Sequence, residues 1–207
     1  MNQVKARFFD AEAVASWAVA PFGAAEQPKI ARLLVAAAIR PGAWVLEPGC
    51  GTGRLTGILA DAVGPAGQVL ACDISQKMVE ACRARVGGRG NIRVAQAAVE
   101  EHALAPETVD VIVCHQVFPH FDDKPAALAA LVRVLKPLGR LLVVHFLDAA
   151  AVNDRHRRAG EAIRGDLLPT QDEMRRLFGD AGLAIDFCID DQDGYLVRAM
   201  RTTGAKG

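Results

Sequence analysis

The 207 residues suffice for one α/β domain with a filled core and fall short of two. Half of the chain is hydrophobic, and 24 basic side chains balance 24 acidic ones. That balance excludes the electrostatic footprint of a protein that grips DNA or long RNA, and it points to a small-molecule substrate and no nucleic acid.

The first stretch, MNQVKARFFDAEAV, has no apolar core behind a basic start and does not read as a signal peptide. Apolar spacing predicts helices over 10–20 and 26–39, the second with Ile30, Leu33, Leu34 and Ala37 on one face. RPG at 40–42 breaks that helix, and AWVLE at 43–47 reads as a short buried strand. It runs into three alternating glycines, Gly49, Gly51 and Gly53, before RLTGILADAV resumes helical spacing. QVLACD (68–73) is a second strand, followed by a helix with Ser75 as its N-cap. NIRVAQ and DVIVCH continue the strands, KPAALAALVRVL is a helix, KPLG a turn and RLLVVHF a fifth strand. TQDEMRRLFGDAG is a last helix, and LAIDFCID and YLVRAMR, joined by DQDG, form an antiparallel hairpin at the sheet's edge. Residues 148–169 fit neither rhythm and read as a partly helical insertion over the strands' carboxyl ends.

Continuous apolar strands separated by helices indicate a doubly wound, mostly parallel α/β sheet. Such sheets hold ligands in the crevice beyond the strands' carboxyl ends, where the strand order reverses. Charges interrupt every apolar run before the roughly 20 residues that a bilayer span needs, so no membrane partner is expected. Cys50, Cys72, Cys82, Cys114 and Cys188 are scattered and never spaced CxxC, which fits a cytoplasmic chain with reduced thiols. Its oligomeric state stays open, a homodimer included.

The glycine loop is the informative feature. A P-loop is absent, and GxGxxG fails from either start, since the third glycine would fall on Arg54 or Thr56. Instead Glu47 stands at the loop's mouth, and Asp73 ends the second strand 20 residues beyond Gly53. A carboxylate at the first place suits a cation rather than pyrophosphate, and one at the second suits ribose hydroxyls. A nucleoside carrying an amino acid has those parts, and S-adenosylmethionine is such a molecule. The plainer alternatives are glycines that only pack helix on strand, and ordinary charges at strand ends.

VLEPGCGTG, VLACDIS and VLKPLGRLLVV, over roughly residues 26–200, resemble the motifs of the class I S-adenosylmethionine-dependent methyltransferases. The resemblance implies a Rossmann-like seven-stranded sheet ending in a hairpin, with S-adenosylmethionine held by Glu47, Gly49, Gly51, Gly53 and Asp73. Many relatives place an acid on adenine where this chain has Ala98, so Ile74 and Val99 are expected against the ring instead. Leu138 replaces the usual glycine of a KPGG turn and reads as a harmless variant. The chain is also similar to quinone-biosynthesis C-methylases and to a subgroup of bacterial methyltransferase-like proteins.

For the acceptor side, DVIVCHQVFPHF is not the [DNS]PP[YF] run of base-methylating enzymes. His115 and His145 end strands that are neighbours in the family's usual order, and His120 follows close by. A general base is one reading, with His145 first and His120 and His115 behind it. Structural imidazoles are a second. A His/Asp metal site, which the insertion's His156 and Asp166 would join, lacks supporting ligand spacing, and no metal is expected. Phe8, Phe9, Trp17 and Phe22 make residues 1–25 either a lid or an outer packing segment on a domain at 26–207. The function expected is methyl transfer to an oxygen, nitrogen, sulfur or carbon atom of a small molecule. A non-catalytic S-adenosylmethionine sensor of the same fold is the alternative.

Overall fold

The computed structural model describes residues 1–101 and 103–203, so the last four residues of the expected 26–207 domain lie outside them. Helices α1 (Gln3–Glu12), α2 (Ser16–Val19) and α3 (Gln27–Ala37) precede the sheet. Strand β1 (Trp44–Pro48), helix α4 (Thr56–Val63), strand β2 (Gln68–Asp73), helix α5 (Gln76–Val86) and strand β3 (Ile92–Gln96) form the first half. Strand β4 (Val109–His115), helix α6 (Lys124–Val134), strand β5 (Leu135–His145) and helices α7 (Ala149–Arg158) and α8 (Gln171–Asp180) follow, closed by strands β6 (Leu183–Asp191) and β7 (Gly194–Arg201).

The sheet order is β3-β2-β1-β4-β5-β7-β6, with β7 antiparallel to both β5 and β6. This is the doubly wound sheet with a terminal hairpin that the strand pattern predicts. The order reverses between β1 and β4, and the crevice there opens at the strands' carboxyl ends. Strand alternation divides the core. Ile112, Leu141 and Val143 pack under α6 and α8, while Val111, Val113 and Leu142 pack with Leu33 and Leu59 of α3 and α4. Each such side chain, buried on both sides of the sheet, contributes about 1.5–3 kcal/mol. Among the described residues no helix is long and apolar enough to cross a membrane.

Two local expectations are corrected. The helix expected over 10–20 is instead α1, starting at residue 3, and the single turn α2. The Asn2 side chain caps α1 by accepting from the amides of Val4 and Lys5, and the face that α1 buries is Lys5 and Ala6. Apolar periodicity could not show a helix whose inner side is a lysine. The KPLG segment is no free turn, since Leu135 already pairs with Val109 and the register shifts before Val111.

Leu138 is not a harmless variant either. Its φ is +61°, in the left-handed region, and the side chain is largely exposed. That conformation costs a non-glycine residue about 1–2 kcal/mol, against about 0.4–1 kcal/mol for the greater freedom of an unfolded glycine. Leu138→Gly is therefore expected to raise Tm by about 1–3 °C. A thermal melt showing no rise would refute the strain.

Candidate active site

A cavity of about 1130 Å³ opens over the carboxyl ends of β1, β2, β4 and β5. Ligand sites run to about 1,000 Å³, so this one has room for two small molecules side by side. Glu47, Gly49, Gly51, Asp73, Ile74, Val99, His115, His120 and His145 all line it, and Gly53 does not.

The three glycines differ in what they accommodate. All have positive φ, so each needs the left-handed freedom of glycine. A methyl group on Gly49 would lie 2.2 Å from Cγ2 of Val117, and one on Gly53 would lie 2.8 Å from Sγ of Cys82. Protein side chains therefore occupy the space at both. Only Gly51 faces open space, its nearest neighbour being Sδ of Met78 at 4.0 Å. Of the three, Gly51 is the one where an added methyl group would meet no protein atom closer than 4.0 Å.

Glu47 is 2 % exposed, and its Oε2 accepts from the Thr56 hydroxyl at 2.7 Å. Burial pushes its carboxyl up to about 8, only partly countered by Thr56. Among the described residues no ion pair reaches it, so a buried acid stands at the cavity wall without a cation. Across the loop, Asp73 accepts from the Gly51 amide with Oδ2 and from the Ser75 amide with Oδ1, both at 2.9 Å. Burial raises its carboxyl despite these bonds. The Ile74 amide also acts on this carboxyl, and of its roughly four lone-pair sites one is left for a hydroxyl. Ile74, Ala98 and Val99 continue the wall, Val99 at 5 % exposure; position 98 carries no acid, and Glu100 and Glu101 line the cavity just beyond.

His115 and His145 end neighbouring strands, and both line the cavity together with His120. His115 pairs in register with Val144, beside His145, because β4 and β5 are neighbours. Burial, with the Arg54 cation nearby, takes His115 down to about 3, and its ring lies 4.7 Å from Phe146. His145 is 4 % exposed, burial holds it neutral, and its Nε2 has no hydrogen-bond partner. His120 sits in a single 3-10 turn over Phe118–His120, with Nδ1 2.9 Å from Oδ2 of Asp166. Among the described residues no group of three His, Cys, Asp or Glu side chains is placed to hold a metal ion.

Several site residues have no signal in the sequence. Gln116 has a φ of +56°, and its backbone amide donates to the Val144 carbonyl at 2.8 Å. It is a left-handed non-glycine beside a ligand cavity, where such strain tends to gather. Lys5 is 5 % exposed and reaches from α1 to Asp122, Asp166 and the His120 carbonyl, behind the cavity wall. Thr56, the partner of Glu47, could have been suspected only as a hydroxyl at a helix start. The N-terminal aromatics divide. Phe8, Phe9 and Trp17 line the cavity, whereas Phe22 lies under the Arg54 guanidinium, 4.0 Å from its ring centre.

Comparison with known proteins identifies the family. Residues 46–143 match the family described as a methyltransferase domain. The ubiquinone/menaquinone biosynthesis C-methyltransferase UbiE of Teredinibacter turnerae is 41% identical over 173 residues, covering 70% of this chain and 69% of that protein. The protein of the same name from Vibrio campbellii is 36% identical over 138 residues, 65% of this chain and 52% of the relative. The chain thus spans about half the length of several curated relatives that it matches. Among solved structures, a SAM-dependent methyltransferase from Aquifex aeolicus superposes with a TM-score of 0.72 at 21% identity, covering 98% of this chain and 100% of that one. Magnesium protoporphyrin IX methyltransferase of Synechocystis PCC 6803, solved with bound SAH, gives 0.73 at 19% identity over 96% and 98%.

Proposed function

The chain belongs to the class I S-adenosylmethionine-dependent methyltransferases, and we propose that it methylates a small, flat, apolar acceptor. The observation that carries this reading is the pairing of an uncompensated buried acid, Glu47, with open backbone at Gly51 and the acid Asp73 beyond it. These residues fit the cofactor. Glu47 would take its ammonium, Asp73 a ribose hydroxyl, and Ile74 and Val99 the faces of its adenine. Gly49 and Gly53 shape the loop from behind. When bound, the cofactor supplies a methyl group already activated on a sulfonium.

The protein's own work is to exclude water and to aim a nucleophile in line with that methyl. The room left in the cavity lies against Phe8, Phe9, Phe121 and Ile163, which suits an apolar acceptor, and the curated relatives are named for carbon methylation in quinone biosynthesis. Of the three candidate bases, the local bonds support His120 ahead of His145 and His115, because only His120 has a carboxylate on its other nitrogen. Residues 1–25 serve in this reading as a cover on the 26–207 domain, with the 148–169 insertion as its second side. A cytoplasmic setting fits the five cysteines, four buried and Cys188 exposed, none of which is paired with another. A sensor that never transfers its methyl is not favoured, since it has no use for an acceptor-sized space walled by imidazoles.

The test is transfer of labelled methyl from S-adenosylmethionine into the small-molecule fraction of a cell extract. Label should appear in one small-molecule species and S-adenosylhomocysteine should accumulate with it. Cofactor binding with no label in any fraction would leave only the sensor.

A further inference from the structure

His120 is the front of a chain of charged contacts that leads away from the cavity. Behind its Nδ1 stands Oδ2 of Asp166 at 2.9 Å, and the other oxygen, Oδ1, lies 2.8 Å from Nζ of Lys5. Lys5 also pairs with Asp122 at 2.7 Å and donates to the His120 carbonyl at 2.9 Å. Nδ1 of His156 bonds the Asp166 carbonyl oxygen, and the two imidazole rings lie 4.8 Å apart. Phe9 meets His120 edge-on at 5.1 Å. Phe9, His120, Asp122 and His156 line the cavity; Asp166 and Lys5 do not, and the side-chain contact from Asp166 to an imidazole at the cavity is the one to His120.

The bonding fixes the imidazole's state. Burial would raise the Asp166 carboxyl, but bonds from His120 and Lys5 hold it below the usual carboxylate range. An ionised carboxylate can only accept, so Nδ1 carries the proton and Nε2 keeps its lone pair. Burial holds His120 itself below its ordinary value despite Asp166, so the ring is neutral. Neither His145 nor His115 is oriented this way: Nε2 of His145 is unpartnered, and Nε2 of His115 faces the Gln116 amide nitrogen at 3.2 Å.

We propose that Asp166, anchored by Lys5 of α1, is a positioning residue that holds His120 as proton acceptor, and that the methyl acceptor is accordingly a protic hydroxyl or enol-type nucleophile. This rests on the methyl-transfer reading. The acceptor's electron pair forms the new bond to carbon as the sulfur–carbon bond breaks, its electrons staying on sulfur as a neutral thioether. The acceptor's proton passes to Nε2 of His120, and the imidazolium so formed is balanced by Asp166 until solvent takes the proton. Lys5 comes from α1, while His120 and Asp166 come from the connections after β4 and α7. The base is therefore complete only with α1 docked.

The full chain labelled with 15N-histidine tests this without knowledge of the acceptor, His120 being assigned through His120→Gln. The wild type should show a neutral Nδ1–H ring at pH 7, and Asp166→Asn should convert it to Nε2–H, because the amide then donates. Asp166→Glu should keep the wild-type tautomer. Transfer of labelled methyl into the extract's small-molecule fraction, at saturating S-adenosylmethionine, should fall about 100-fold in Asp166→Asn with cofactor affinity unchanged. The residual rate should climb with pH as the acceptor ionises unaided, and Asp166→Glu should recover part of the loss. An unchanged tautomer in Asp166→Asn, or a rate loss flat in pH, overturns the positioning role. If the wild type transfers no label at all, the methyl-transfer reading falls, and with it the acceptor class, whereas the tautomer still decides the role of Asp166.

Discussion

Titration of S-adenosylmethionine into the protein at pH 7 is expected to release close to one proton. With the Glu47 carboxyl near 8, about nine in ten molecules hold the proton on Glu47 before binding. The cofactor's ammonium is the cation this buried acid lacks, and its arrival favours the ionised form. Affinity should rise about tenfold per pH unit from about pH 6 and level off near pH 8, where an α-amino group begins to lose its own charge. Glu47→Gln should abolish the proton release and weaken binding by about 10- to 100-fold, the worth of a hydrogen bond to a charged group. Calorimetry in two buffers of different ionisation heat reads the proton directly. Identical heats in the two would refute the assignment.

The same group sets a stability trend of definite sign. Glu47 is raised in the folded chain from an ordinary 4.5 to about 8. Its contribution is fully present below about pH 4.5 and is lost as pH rises through about 8. The ligand-free protein should therefore lose stability across that window, and Glu47→Gln should flatten the loss.

The second large effect separates two glycines only two positions apart. Gly49→Ala drives a methyl to 2.2 Å from Cγ2 and 2.6 Å from Cβ of Val117, at a φ of +64°. Overpacking and left-handed strain together should cost about 3–5 kcal/mol, a large share of the stability of any domain, and lower Tm by roughly 10 °C. Gly51→Ala meets nothing nearer than 4.0 Å and should cost about 1–2 kcal/mol from its φ of +53° alone. Its methyl would project into the proposed cofactor site, so affinity for S-adenosylmethionine should drop at least tenfold while the melt stays within a few degrees of wild type. Pairing Gly49→Ala with Val117→Gly should recover part of the lost Tm. Equal melting losses in the two single variants would show that both glycines serve packing alone.

Much of this molecule is legible from residue order, and the reasons are local. QVLACD and DVIVCH are continuous apolar runs because parallel strands bury both faces, and they match β2 and β4 to within a residue. Glu47 and Asp73 are placed by spacing from the strand ends. The glycines are legible as a group but not individually, since Val117 and Cys82 reach them from 68 and 29 residues away in the chain. The proposed base is the least visible part. His145 drew attention by ending a strand, but what distinguishes His120 is a carboxylate 46 positions later and a lysine 115 positions earlier. No periodicity records a contact at that range, and burial of Lys5 runs against the ordinary meaning of a lysine in a helix.

The contact between Val117 and Gly49 has a bearing on engineering. Residues 115–122 would be the natural cassette to exchange in redirecting such a scaffold to a new acceptor. Yet Val117 within that cassette fills the hollow of a cofactor-loop glycine, so a transplanted segment brings the far side of the loop with it. A chimaera that keeps its own residue 49 and imports a bulkier residue at 117 would disturb the donor site before any acceptor is tried. Library designs should treat positions 49 and 117 as one unit and diversify around them.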